Sequence, residues 1–248
     1  IVPIAGVTWT GMNDDIEGLN DALEDFNART GYDIPIHVDA ASGGFILPFL
    51  NPDKKWDFRL KWVYSISTSG HKYGLVYPGL GWIIWRDRKY LPDEMSFSVN
   101  YLGANITQVG LNFSRPAAQI LAQYYNFIHL GEEGYREIHL NSMAIAEYCH
   151  EVIGKMPCFS NYSKHLDNPL FIWFMKPEYA EKANWTLFDL QDKVMQRGWM
   201  VPAYTMPKDI EDMVVMRIVV RQGMSRDMAD MLIGDINEAV AELEKLEY

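Results

Sequence analysis

The stretch "SISTSGHKYG", residues 65–74, places Lys72 directly after His71, in a run of hydroxyl residues and glycines. An apolar, β-prone run, "WVYSIST", leads into it. A lysine in such a place is either a solvated surface side chain or an amine held ready to condense with a carbonyl. A second stretch, "HVDAASGG" at residues 37–44, ends an apolar run in Asp39 and continues with small residues and two glycines. An acid with no bulk after it suits a ligand that comes close to the carboxyl end of a strand. The same pattern also suits an acid that caps a tight turn.

Lys72 follows Asp39 by 33 residues. If both preceding runs are strands of one parallel sheet, both ends open on the same side and the two charges share a crevice. Acid and lysine in that arrangement have a joint use. Pyridoxal 5'-phosphate is held by a lysine through a Schiff base, and an aspartate pairs with its ring nitrogen. The carboxylate keeps that nitrogen protonated, so the ring accepts electrons from a breaking bond. The neighbouring hydroxyls, backbone amides and His71 offer donors for a phosphate. For the pair in this order the cofactor reading leads, although Lys72 alone reads as an ordinary surface lysine.

The elements that must position these residues alternate. "PIAGVTW" reads as a strand, and Asp14 as the cap of a helix through "DIEGLNDALEDFNART", with Glu17 three residues on and Gly31 as its stop. Leu19, Leu23 and Phe26 recur there at helical spacing. "IPIHVDA", "WVYSIST" and "GWIIWRD" read as strands, and "MSFSVNYLGANITQ" as a strand-and-turn region. Residues 116–155 read as two helices broken near Gly131 and Gly134, with Pro116 early in the first. "PLFIWFM" and "MVVMRIVVR" read as strands. "TLFDLQDKVMQRG" and "DMADMLIGDINEAVAELEKL" read as helices. The fold class expected is α/β: βαβ units with a mostly parallel central sheet over residues 1–142, then a small α+β domain over 143–248.

Bulk composition limits the choices. The chain has 248 residues, 48% apolar, enough for a sizeable core. A formal charge of −11 argues against nucleic acid or an anionic membrane as the main partner. No apolar run is long enough to span a bilayer. Two cysteines, Cys149 and Cys158, make no disulfide framework and lack the company expected of a zinc site. A reducing, cytoplasmic setting is the expectation. The chain opens on the strand-like "IVPIAGVTW" with no methionine before it, so a portion of a longer protein is expected.

"HVDAASGGF" and "SISTSGHKYG" resemble the two hallmark stretches of the group II pyridoxal-phosphate decarboxylases. "DAASGGFILPFLNPDKKWDFRL", "GWIIWRD", "YLGANI", "NFSRPA", "QYYNFIHLGEEGY" and "VVMRIVVRQG" resemble the glutamate decarboxylases within that group. The resemblance runs in order along nearly the whole chain. It implies a fold type I transferase-like architecture, at least a homodimer, and pyridoxal 5'-phosphate as cofactor. It implies a carboxy-lyase that converts L-glutamate to 4-aminobutyrate and carbon dioxide. Because that reaction consumes a proton, acid defence or acid-driven metabolism is its implied setting.

The resemblance also implies residue roles. Lys72 would be the Schiff-base lysine and Asp39 the partner of the ring nitrogen. His71 would contact the phosphate, and Ser69 would be a neighbouring cofactor contact. Thr8 would lie near the ring and the substrate carboxylate, and Ala41 would pack on a ring face. Ser114 would reach the phosphate bound by a neighbouring subunit. Arg217 would bind the substrate's α-carboxylate region, whereas Arg221, four residues on and on the same face if both lie on a strand, reads as a paired surface charge. The family's ring-stacking residue, phosphate-binding serines and distal-carboxylate contacts fall N-terminal to Ile1, and "LEKLEY" carries no histidine-bearing tail. Other readings are a related decarboxylase of another amino acid such as tyrosine, or an inactive fragment that serves as a packing subunit. An aminotransferase or desulfurase of the same fold fits the order of motifs less well.

Overall fold

The computed structural model describes residues 1–100, 103, 106–109 and 115–245. The chain divides into two compact units. The first comprises Ile1–Ala5 and Asp14–Glu132, and the second Gly6–Asn13 and Glu133–Tyr248.

In the first unit, helix α1 (Ile16–Thr30) precedes strand β1 (Ile36–Asp39). A 3-10 turn (Gly43–Phe45) and short helix α2 (Leu47–Leu50) follow, then β2 (Val63–Ser69) and β3 (Gly81–Trp85). β1 and β2 pair in parallel, with His37 opposite Ser65 and Asp39 opposite Ser67. β3 runs antiparallel to β2 and closes the sheet order β1-β2-β3. Strands β4 (Phe97–Val99) and β5 (Ile106–Gln108) form a separate antiparallel pair.

α1 forms where its signals predict, with a different cap. Asp15, not Asp14, accepts from the Gly18 N–H, and Gly31 ends the helix in the left-handed region at φ 75°. Asp14 instead accepts from the Ile4 N–H at 2.7 Å, and Glu17 pairs with Lys55 rather than closing a capping box. Ile16 and Leu23 pack against Ile36, Val38, Val63 and Ile66, so the apolar face of the sheet lies against the helix. Each such buried side chain contributes about 1.5–3 kcal/mol. Phe26 stays exposed and stacks on Tyr32.

The expected opening strand is short: Ile4 bridges Asp39 in parallel, and backbone bonds join Ile1, Pro3 and Ala5 to His37 and Asp39. Gly6 and Gly11 both take positive φ, and the Val7 and Met12 backbones bond to each other, so the chain turns away before a ladder can extend.

Helix α3 (Ala118–Gly154) contains Gly131 at φ 60°, ψ −166°, which separates two helical runs at the predicted break. Pro116 lies just before the helix rather than in its first turn.

The second unit holds a four-stranded antiparallel sheet of order β6-β7-β9-β8. Its strands are β6 (Phe159–Asn161), β7 (Leu170–Met175), β8 (Ala203–Thr205) and β9 (Val214–Val219). Helices α4 (Pro177–Ala180), α5 (Leu187–Gln196) and α6 (Arg226–Leu243) complete it. Phe171, Trp173, Met216 and Ile218 face Leu190, Val194, Leu232 and Ile236 in one core. Thr186 and Asp189 form a reciprocal capping box that starts α5. β6 and β8 are three-residue strands with too little alternation to be read from sequence.

The second helical run buries His139 at 1% exposure beside the Tyr135 ring. Burial pushes the imidazole down to about 4. As pH falls below about 6.5, the unfolded chain binds a proton that the folded chain refuses until about pH 4. Stability therefore drops across that window, by about 2–3 kcal/mol for this group. Urea unfolding at pH 7 and pH 4.5 should show a shallower pH dependence in His139→Gln than in the wild type. Equal slopes in the two proteins would remove His139 from the acid response.

Candidate active site

The parallel pairing of β1 and β2 puts Asp39 and the Lys72 loop at the same end of the sheet. Two hydrogen bonds carry that pairing past the strand ends. Ala40 N–H donates to the Ser67 carbonyl at 2.9 Å, and Ser69 N–H to the Ala41 carbonyl at 3.3 Å. The loop after Asp39 is thereby laced to the end of β2.

Asp39 is half-buried, and its Oδ1 accepts from the Ala41 N–H at 3.0 Å. Its Oδ2 has no hydrogen-bond partner among the described residues. One oxygen is thus fixed by backbone while the other is left for a ligand. That donor set fits a carboxylate that pairs with a protonated ring nitrogen. Lys72 is also half-buried, and its Nζ donates to Ser42 Oγ at 3.2 Å. Ser42 is buried, so the hydroxyl holds the amine at the mouth of the loop that Asp39 begins. Sequence reasoning passed over Ser42; its signal was a lone hydroxyl inside "AASGG".

Glycines keep this end of the sheet clear. A Cβ on Gly43 would lie 2.8 Å from the Ala5 carbonyl oxygen, and one on Gly44 would collide with Thr68. On the other loop, a Cβ on Gly74 would lie 2.6 Å from the Gly70 carbonyl oxygen. Leu75, three residues after Lys72, takes φ 66°, a left-handed conformation that leucine rarely adopts.

Three amides from the first run of α3 hold that loop. Gln119 Oε1 accepts from the Tyr77 N–H at 2.9 Å, Gln123 donates to the Gly74 carbonyl at 2.7 Å, and Asn126 donates to the Leu75 carbonyl at 3.0 Å. Their spacing of four and three residues marks one helical face. That spacing was the available signal, and it went unread because the surrounding sequence is aromatic and apolar.

Ala41 follows Asp39, which closes β1, and His71 and Lys72 follow Ser69, which closes β2. Thr8 and Arg217 meet in the second unit. Arg217 Nη1 donates to the Thr8 carbonyl at 2.7 Å, and its guanidinium sits 5.6 Å from the Tyr204 ring centroid. Tyr204 OH donates to the Trp9 carbonyl at 2.8 Å, which ties the 6–13 segment to β8. Burial pushes the Tyr204 hydroxyl up, and the Arg217 charge opposes that. Arg217 Nε is buried with no partner among the described residues. Arg221 lies beyond the end of β9 and is exposed, so it does not share the strand face of Arg217. Ser114 lies outside the described residues.

Comparison with known proteins gives the family. The family described as "Pyridoxal-dependent decarboxylase conserved domain" matches residues 1–166. Glutamate decarboxylase beta of Listeria innocua is 47% identical over 243 residues, 98% of this chain and 52% of that protein. Glutamate decarboxylase 5 of Arabidopsis thaliana is 48% identical over 246 residues, 99% of this chain and 49% of that protein. The solved glutamate decarboxylase of Lactobacillus brevis superposes with a TM-score of 0.95 at 45% identity, over 100% of this chain and 56% of that one. A sphingosine-1-phosphate lyase of Burkholderia pseudomallei, at 24% identity and a TM-score of 0.77, shares the fold. The chain thus spans about half the length of the relatives it matches. By its matched domain, and with Asp39 and Lys72 set at one end of a parallel strand pair, the chain belongs to the pyridoxal-dependent decarboxylase family.

Proposed function

We propose that the protein of which this chain is part decarboxylates L-glutamate to 4-aminobutyrate and carbon dioxide, with pyridoxal 5'-phosphate held at Lys72 and Asp39. The observation that carries the reading is the β1/β2 register, which sets a half-committed carboxylate and a serine-held amine at one sheet end. Glutamate as the substrate is supported by 47–48% identity to glutamate decarboxylases along almost the entire chain.

Bound at this site, the cofactor supplies an electron-accepting ring for the charge left when a carboxylate departs from Cα. Asp39 Oδ2 holds a proton at the ring nitrogen, while its Oδ1 stays on the Ala41 N–H and fixes the carboxylate's orientation. Lys72 Nζ is the attachment amine, positioned by Ser42 Oγ. His71 and Ser69, on the Lys72 loop, are donors for the phosphate. Ala41 offers a small surface for a ring face. The planar guanidinium of Arg217, steadied by the Thr8 carbonyl and the Tyr204 ring, binds a substrate carboxylate through its fork. Its buried, unpartnered Nε is a donor suited to that role. Thr8 is placed by the same contact.

A homo-oligomer belongs to this proposal and is supported by Ile120, Leu121, Tyr124, Tyr125 and Ile128, which expose one apolar helical face. A reducing setting is supported by two buried free thiols, Cys149 and Cys158, both pushed up to about 11 by burial. No helix among the described residues is long and apolar enough to cross a membrane.

Added pyridoxal phosphate should give a visible absorbance band that borohydride removes in the wild type and that Lys72→Ala never forms. Asp39→Asn should keep the band and lower kcat at least about a hundredfold. A borohydride-sensitive band retained by Lys72→Ala would move the attachment site elsewhere. Arg217→Lys keeps the charge but loses the fork, so it should raise KM for glutamate about tenfold or more while leaving cofactor retention unchanged. An unaltered KM would take Arg217 out of substrate binding.

A further inference from the structure

β1 carries a second titratable side chain on the same face as Asp39, two residues earlier. His37 Nδ1 lies 2.8 Å from Ser65 Oγ, and Nε2 lies 3.2 Å from Ser67 Oγ. A hydroxyl can donate to a bare ring nitrogen or accept from a protonated one, so both nitrogens of a neutral imidazole are satisfied in either tautomer. Ser65 and Ser67 are the β2 partners of His37 and Asp39. Ser67 is therefore bound by the histidine and placed opposite the carboxylate. Side chains two apart on one strand face stand about 7 Å from each other, within reach of charge coupling in a half-buried setting.

We propose that His37 is a positioning residue for Asp39: it holds the Ser65–Ser67 hydroxyl row against β1, and its charge state biases the ionisation of the neighbouring carboxylate. The proposal rests on the reading of Asp39 as the cofactor's partner. Burial pushes the His37 imidazole down, and the Asp39 charge opposes that. Coupling is reciprocal, so a protonated His37 favours the ionised form of Asp39 by the same amount.

The other groups around the ring are accounted for. His37 borders a cleft of about 390 Å³ with Asp33, Tyr64, Lys89 and Tyr90. Tyr64 OH donates to Asp33 at 2.8 Å, and its ring stacks on Tyr90 at 3.9 Å. Asp39 is the group that raises His37.

Two measurements test the inference. In the first, NMR titration follows the His37 ring in the purified chain without cofactor, in wild type and Asp39→Asn. Removing the carboxylate charge should lower the His37 midpoint by about 0.3–1 pH unit. An unmoved midpoint overturns the coupling whether or not the chain binds cofactor. In the second, cofactor retention and the pH dependence of its absorbance band are compared in His37→Gln and His37→Phe. The phenylalanine variant should release pyridoxal phosphate about tenfold more readily and shift the band's pH profile, and glutamine, which can still bond to a serine hydroxyl, should restore most of the retention. Wild-type retention and profile in His37→Phe would overturn the positioning role. A wild-type protein that binds no cofactor would instead sink the reading of the site, and the NMR result would then decide the coupling alone.

Discussion

The candidate site depends on one constraint, the parallel register of β1 against β2. Side chains alternate across a strand, so a slip of one residue would send His37 and Asp39 into the apolar layer and bring Val38 to the polar face. That slip is costly on both sides. It would bury an acid and an imidazole against α1, and it would expose Ile36 and Val38, which are now fully buried. The core beneath the sheet and the polar row above it therefore specify the same register. The Ala40–Ser67 and Ala41–Ser69 bonds then extend it into the two loops that hold the functional groups.

The Lys72 loop has a different kind of support. It leaves β2 through glycines that tolerate no side chain and passes through a left-handed Leu75. Such a path persists only when its surroundings hold it. Gln119, Gln123 and Asn126 provide that hold, bonding to backbone groups of residues 74, 75 and 77. A helix more than forty residues downstream in sequence thus sets the conformation in which Lys72 meets Ser42.

This division explains what could be read from the sequence. Local patterns gave α1, β1, β2, β7, β9, α5 and α6, because each buries a continuous or periodic apolar face. They also singled out Asp39 and Lys72 as a candidate pair, and the parallel β1/β2 pairing sets Asp39 and the Lys72 loop at one end of the sheet. The pattern gave too much at the end of "PIAGVTW", where Pro3, Ile4 and Ala5 pair with β1 but Gly6 at positive φ turns the chain. It gave too little wherever a residue acts on a distant partner. Ser42, His37 and the α3 amides carry only weak local marks, because their partners lie 28 to 51 residues away.

Unsatisfied polar atoms sharpen the distinction between structural and functional residues. A buried donor without a partner costs about 1–3 kcal/mol, so each invites an explanation. Trp173 Nε1 and Asn161 Oδ1 also lack partners among the described residues, yet Trp173 lies in the packed core of the second unit. Orphan status alone therefore marks no site. Arg217 differs because its side chain stands on the sheet face shared with Ile172 and Tyr204, opposite the main core. The Thr8 carbonyl and the Tyr204 ring satisfy part of the guanidinium and leave the cation without a counter-charge in either contact. A carboxylate ligand would supply what those two neutral partners do not, and this is the support for the proposal that Arg217, rather than the exposed Arg221, receives an anionic substrate.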